Sequence, residues 1–467
     1  MRKCLSNALN LTDCLNCLTC GMLKRNQKKI KKNTKAKKTP KTENYRSTLL
    51  SKMAPNIIGS TFILAETSIA DANNNKMPAT ATAAPPVKAT PPAPAKTAPK
   101  PVAVAAEATK TKATLEPFKT EIVWHNILLF IILHSSALYG LYLIFAENAY
   151  LEIIPVYATT FLGGLGITAG VHRLWSHKAY KAKLPLRIFL MLCQSLAFQN
   201  SIWEWTRDHR VHHKFTDTHA DPHNSRRGFF FAHMGWLLCK KHPDVRSKGK
   251  QIDMTDIEQD PVVMFQKKYF FVVMPICCFV LPMMFPYFLM GTSLRVCFFT
   301  CSMLRYALSL HGTWLVNSAA HFYGMKPYDV HISSVNTKLI STIAFGEGWH
   351  NYHHVFPWDY KAAELGDYKH NWTTAFIDLM AKIGQAYDLK SVSQEMVYKR
   401  VRRTGDGSHI ASLLDANNNN SEPTSELVMH LDHEKEENVW GWDDKDITEE
   451  DRKLATIVNA EAVCKRD

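Results

Sequence analysis

Residues 122–145, IVWHNILLFIILHSSALYGLYLIF, contain no Asp, Glu, Lys or Arg. That absence excludes a solvated surface helix and leaves a segment long and apolar enough to cross a bilayer. A different absence marks the beginning of the chain. Between Lys24 and Lys41 there are ten Lys or Arg and no acid, so this stretch supplies much of the net charge of +14. The Ala/Pro/Thr/Lys tract that follows, ATATAAPPVKATPPAPAKTAPKPVAVAA, has no core-forming pattern. Residues 1–115 therefore read as a disordered extension. A polybasic run suits anionic lipid heads or nucleic acid, but a solvated tail is the simpler account, and no nucleic-acid partner is expected. No cleavable signal peptide is expected either, because the first long apolar run comes after residue 120. Met53 opens MAPNII and offers an alternative start, so a chain beginning there is expected to keep its turnover. Cys14, Cys17 and Cys20 lack a fourth ligand for zinc and an adjoining membrane segment for palmitoylation. The remaining cysteines sit in apolar stretches, where a thiol acts as a small hydrophobe, and no disulfide is expected.

Three more apolar stretches follow the first. Residues 151–171 come after the brief AENAY, and residues 269–294 and 296–320 form a second pair, with one charge, Arg305, inside the last. The expected fold is an all-α integral membrane protein with four transmembrane helices in two hairpins. The short hairpin turns carry almost no Lys or Arg, whereas residues 172–268 are rich in both. By the positive-inside rule this long loop is a cytosolic cap, and both termini are cytosolic. Arg305 is expected to be a packed structural ion. Residues 116–409 read as the membrane domain and 410–467 as a polar C-terminal tail.

Five histidines fall within DHRVHHKFTDTHADPHN, residues 208–224. On a helix His209, His212 and His213 stand at i, i+3 and i+4, so three rings leave one face. The stretch EGWHNYHH repeats the pattern with His350, His353 and His354. HRLWSH adds His172 and His177 at the end of the second apolar stretch, and NSAAH adds Asn317 and His321 at the end of the fourth. Four spans bring all of these to one membrane surface. At α-helical spacing His172 and His177 diverge by about 140°, so they need a bend or two directions of approach. Nine imidazoles exceed the three or four that one zinc uses, which points to two metals. Imidazole suits zinc, copper, iron and nickel alike. Iron is favoured because oxygen activation is the main chemistry that attacks an unactivated C–H bond in a membrane-embedded apolar substrate.

These segments, together with ITAGVHRLWSHKAYKAKLPLR and HADPHNSRRGFFFAHMGWLL, resemble the animal acyl-CoA Δ9 desaturases of the stearoyl-CoA desaturase type. The likeness runs from about residue 115 to 409, and VWGWDDKDITEEDRK resembles insect members. It implies a diiron site in the helical cap, with one iron held by His172, His177, His209, His213 and His353. The other iron is implied on His212, His321, His350 and His354, with Asn317 acting through a water. Glu204, Asp208, Asp221 and Glu347 are available to orient those rings. The resemblance also implies acyl-CoA contacts at Asn126, Asn200, Arg207, Asp208, Lys240, Lys241 and Trp314. It assigns no ligand role to His219 or His223, which read as structural.

The implied reaction is O2-dependent introduction of a cis double bond, at Δ9, into a saturated fatty acyl-CoA in the endoplasmic reticulum membrane. The chain has no HPGG haem segment and no GxGxxG fingerprint. Cytochrome b5 and its reductase are the implied electron donors. A membrane hydroxylase or a desaturase of other regiospecificity shares the histidine boxes, and a non-enzymatic metal-bearing membrane scaffold is a more distant alternative. Val156, Thr160 and Gly164, at intervals of four before His172, are expected to line the far end of an acyl tunnel.

Overall fold

The computed structural model describes residues 120–419 and 438–459. The N-terminal extension, with its Cys14–Cys17–Cys20 group and Met53, and residues 420–437 of the tail lie outside the described residues. The described residues are mostly helical, with four short strands in two antiparallel pairs.

Helix α1, Trp124–Ala146, carries no acid in its first turn, no base in its last and no side-chain cap. Its exposed residues include Leu128, Leu129, Ile131, Leu138 and Phe145. An apolar surface so continuous belongs in lipid rather than water. Helix α2, Ile153–Leu165, runs without interruption into π-helical turns over Gly166–Ser176. Among the described residues three helices are long and apolar enough to cross a membrane: Trp124–Ala146, Ile153–Ser176 and Phe270–Met290. The fourth apolar stretch is helical over 294–317, but Arg305 and His311 interrupt it and it does not reach the hydropathy of those three. Arg305 is fully buried and donates to the carbonyls of Leu196, at 2.9 Å, and Cys278, at 2.5 Å. It joins three elements as a structural cation. Gly140 lets α1 approach this fourth run closely, since a Cβ there would stand 2.1 Å from the Phe299 carbonyl oxygen.

After Ser176 the chain makes β1, Lys181–Ala182, then α3, Leu184–Ala197, and α4, Ile202–Lys214. Ser201 starts α4 through a capping box with Glu204, so Glu204 caps a helix and does not orient a histidine. Helix α5, Arg305–Asn317, closes the fourth run, and the short α6, His350–Val355, carries the last three histidines of the boxes. The main core packs Ile167, Val171 and Leu174 of the second helix against Leu186 and Leu190 of α3, with Ile257, Val263 and Ile377. Each such side chain contributes about 1.5–3 kcal/mol when fully buried. That core fixes the end of the second helix against α3.

β1 pairs with β2, Ala386–Tyr387, and β3, Leu389–Val392, pairs antiparallel with β4, Ala455–Val458. The β3–β4 pair returns residues 438–459 to the cap, where Ile447 joins Tyr352, Phe356, Val397 and Val401 in a second core. This part of the expected polar tail is folded structure.

Candidate metal centre

The π-helical end of the second helix resolves the angle between His172 and His177. In π-helical winding each N–H reaches the carbonyl five residues back. The His177 N–H bonds the His172 carbonyl at 3.1 Å, so the two residues stack on one face, and their ring centroids lie 4.7 Å apart. The 140° divergence expected from α-helical spacing does not occur. The sequence motif HxxxxH is a pair of neighbours here because the helix is wound more loosely.

Helices α4 and α6 share out their histidines in opposite ways. From α4, His209 and His213 turn to the second helix: His209 Nε2 is 2.9 Å from His177 Nε2, and His213 Nε2 is 3.1 Å from His353 Nε2. His212, between them, meets His354 at 3.2 Å. From α6, His353 meets His172 at 2.9 Å, while His350 and His354 approach each other at 3.1 Å and His350 reaches His321 at 3.1 Å. The outcome is two groups. His172, His177, His209, His213 and His353 form one; His212, His321, His350 and His354 form the other; within each, the nitrogens lie within 4.8 Å of one another. His213 and His354 stack at 4.2 Å where the groups adjoin.

Four of the outward nitrogens have close partners, while Nδ1 of His213, His350 and His353 is buried without one. His172 Nδ1 lies 2.9 Å from Glu347, His212 Nδ1 lies 2.9 Å from Asp221, and His321 Nδ1 lies 2.7 Å from the Ser333 hydroxyl. His177 Nδ1 faces the carbonyl of Trp440 at 2.5 Å. Burial, reinforced by neighbouring rings, pushes His212 down to about 3 and His321 to about 4. The same causes hold His177, His209, His213, His350, His353 and His354 well below the ordinary range. Neutral imidazoles converging on a common point are the state a metal ligand needs. Burial would raise Glu347, but Arg173 and His172 outweigh it and bring its carboxyl to about 2. It remains an anion beside His172.

A cavity of about 820 Å³ adjoins both groups: His172, His209, His212, His350 and Asn317 are in its wall. Most of the remaining wall is aliphatic and aromatic, from α1, the second helix and α5. Three of the seven expected substrate contacts, Asn200, Asp208 and Trp314, line it. Asp208 accepts from Arg207 at 2.7 Å and pairs with Lys241, which together outweigh burial and lower its carboxyl. Lys240 pairs with Glu121 in the open. Asn126 stands apart from the wall and donates to the Leu237 carbonyl at 2.6 Å, fastening the start of α1 to the cap. Thr160 and Gly164 line the cavity, but Val156 does not; it is buried in packing.

Reading the sequence missed the part played by Arg173, Ser333, Trp205 and Trp440. Trp205 stacks on His209 with centroids 4.6 Å apart, and a Trp four residues before a box histidine is the signal that pointed there. His223, read as structural, is buried with its ring 4.2 Å from that of His212 and lines the cavity.

Apolar helices of membrane-crossing length, carrying imidazole groups beside an apolar cavity, are the arrangement of a membrane enzyme that acts on an apolar chain. Residues 150–365 match the family described as Fatty acid desaturase. The chain is 52% identical over 350 residues to the acyl-CoA Delta-9 desaturase of Acheta domesticus, covering 75% of this chain and 90% of that one. It is 51% identical over 341 residues to the acyl-CoA Delta12-desaturase of the same cricket, covering 73% and 88%. It is also 52% identical over 291 residues to the stearoyl-CoA desaturase of Homo sapiens, covering 62% and 80%. This chain belongs to the acyl-CoA desaturase family.

Proposed function

We propose that this acyl-CoA desaturase introduces a cis Δ9 double bond into saturated fatty acyl-CoA, using two iron ions held by the two histidine groups. The observation that carries the reading is the division of nine buried or half-buried imidazoles into a group of five and a group of four beside an apolar cavity. His172, His177, His209, His213 and His353 would hold one iron; His212, His321, His350 and His354 would hold the other, with Asn317 acting through a water. Bound iron supplies O2 activation, the chemistry that removes hydrogen from an unactivated methylene.

The chain's own residues do the rest by position. The cavity wall would hold a bent acyl chain so that two neighbouring methylenes face the histidine groups, and would keep water away from them. Glu347, Asp221 and Ser333 accept from outward ring nitrogens and fix which nitrogen faces inward. Asn200, Asp208 and Trp314 in the wall, with Asn126 at the start of α1 and Arg207, Lys240 and Lys241 in the cap, are the residues for the thioester and coenzyme A end. The cations suit its phosphates. With the fourth apolar run as a further span, four transmembrane helices in two hairpins would put this cap and both termini in the cytosol, at the endoplasmic reticulum membrane, within reach of cytochrome b5 and its reductase.

A second regiospecificity has its own support, since the Delta-9 and Delta12 cricket relatives are equally near at 52% and 51% identity. Expression in a desaturase-deficient cell, with double-bond positions mapped, decides. New Δ9 monoenes are expected. Bonds at another position would correct the regiospecificity, hydroxy-acyl products would make the protein a hydroxylase, and no product from protein present in the membrane would overturn the reading.

A further inference from the structure

We propose that residues 438–446 form a positioning strap for the five-histidine group, with the Trp440 carbonyl as the group that sets the His177 ring. The proposal rests on the metal reading above. Three contacts meet at His177. Its Nδ1 faces the Trp440 carbonyl, its own carbonyl receives the Trp442 N–H at 3.0 Å, and Gly441 lies flat against its backbone. A Cβ on Gly441 would stand 2.5 Å from the His177 carbonyl oxygen and 2.8 Å from its Cα, so only glycine fits. A carbonyl can only accept. Nδ1 of His177 therefore carries the proton, and the lone pair is left on Nε2, the nitrogen that faces His209.

The strap is fastened to the elements that carry the other ligands. Arg210, next to His209 on α4, lies 4.0 Å over the Trp440 ring and donates to the carbonyls of Trp175 and Ser176 at the end of the second helix. Lys214, next to His213, pairs with Asp444 at 3.1 Å and with Asp446. Lys178, next to His177, pairs with Asp443. Asp444 also accepts the Trp440 N–H at 2.9 Å, which closes the turn that presents the carbonyl. Each of these charged fastenings is one residue away from a histidine of the five-membered group, while Val439 and Trp442 pack on the Tyr352–Phe356 core beneath α6. The β3–β4 pair anchors the downstream end separately.

The test compares the full-length parent protein with Gly441→Val, Asp444→Asn and Thr448→Ala. The readouts are iron per chain, the Mössbauer spectrum after loading with iron-57, and the rate of iron extraction by a chelator. Gly441→Val lifts the strap from His177; it is expected to retain about one iron where the parent retains about two, with the surviving signal unchanged. Asp444→Asn keeps the strap's shape and weakens its hold on Lys214. One iron should leave about tenfold faster while the other leaves at the parent rate. Thr448→Ala removes a helix cap remote from His177 and should match the parent in iron and spectrum. Parent-like iron and extraction in both Gly441→Val and Asp444→Asn would overturn the strap's role, as would equal loss in Thr448→Ala, which would make it general stabilisation. A parent protein that binds no iron would take down the metal reading, and the strap's role with it.

Discussion

Nδ1 of His172 stands 2.9 Å from one oxygen of Glu347, and the other oxygen of that carboxylate receives Nε and Nη2 of Arg173, the next residue in the chain. One buried anion thus orients a ring and neutralises a fully buried guanidinium. Glu347→Gln keeps the shape and removes the charge, and iron affinity is expected to fall about 10- to 100-fold in a chelator titration. Glu347→Ala should cost a further 3–5 kcal/mol or so through the uncompensated Arg173, seen as poor recovery of folded protein. Unchanged affinity in Glu347→Gln would mean that the Arg173 pairing is the sole purpose of this carboxylate.

His212→Ala and His353→Ala each remove an inward nitrogen from a different group. Both are expected to abolish desaturation while the protein still inserts in the membrane, because one lost ligand lowers iron occupancy more than it disturbs helix packing. His223→Ala should act more mildly, loosening the Asp221–His212 contact without removing a proposed ligand. Monoene formation at equal membrane protein is the measurement. Damage from His223→Ala equal to that from His212→Ala would add His223 to the working set.

Thr160 faces the acyl cavity from α2. Enlarging it in Thr160→Trp shortens the space available to the chain, and overfilling a formed apolar cavity costs about 1–3 kcal/mol, enough for a shift in selectivity of roughly tenfold or more. Competition between palmitoyl-CoA and stearoyl-CoA should move toward the shorter substrate, with the double bond unmoved from the carboxyl end. An unchanged ratio would put the tunnel's end elsewhere. A moved bond would mean that this helix sets the register of the chain against the histidines.

The metal-free protein should be acid-sensitive in a defined window. His212 and His321 are held neutral by burial, at about 3 and about 4, whereas an unfolded histidine titrates near 6.5. Below 6.5 the unfolded chain takes up protons that the folded chain refuses, so this contribution is complete above 6.5 and is lost as the pH falls toward 4. Melting of the chelator-stripped protein in detergent should drop by several degrees or more, roughly, between pH 7 and pH 5. A flat profile would show that the rings are not kept neutral without metal.

How much of this was legible in the chain depends on the range over which each signal acts. The HxxHH boxes could be read because i, i+3 and i+4 share a helix face whatever the tertiary setting, and α4 and α6 carry them so. The apolar stretches were visible for a similar reason, their composition being local. His172 and His177 were misjudged because the winding of a helix depends on what packs against it, and HRLWSH does not announce π-helical turns. Thr160 and Gly164 reached the cavity while Val156 turned into packing, since a line counted along one helix says nothing of where its neighbours stop. Glu204 resembled a second carboxylate for the rings, but its place three residues after Ser201 made it a cap. Trp440 lies in VWGWDDKDITEEDRK, a stretch that stood out in the sequence, but nothing local tied its carbonyl to His177.

The carbonyl that faces His177 belongs to a residue 263 positions later. At a synthesis rate of about 5–20 residues per second, that gap lasts roughly 13 to 50 s. Throughout it the second helix, and by residue 354 all nine box histidines, already exist without the residue that sets the first of them. Readiness for iron is therefore dated by the emergence of Trp440 from the ribosome. A stop codon between His354 and Trp440 would leave a chain with every box histidine in place and one of them unset.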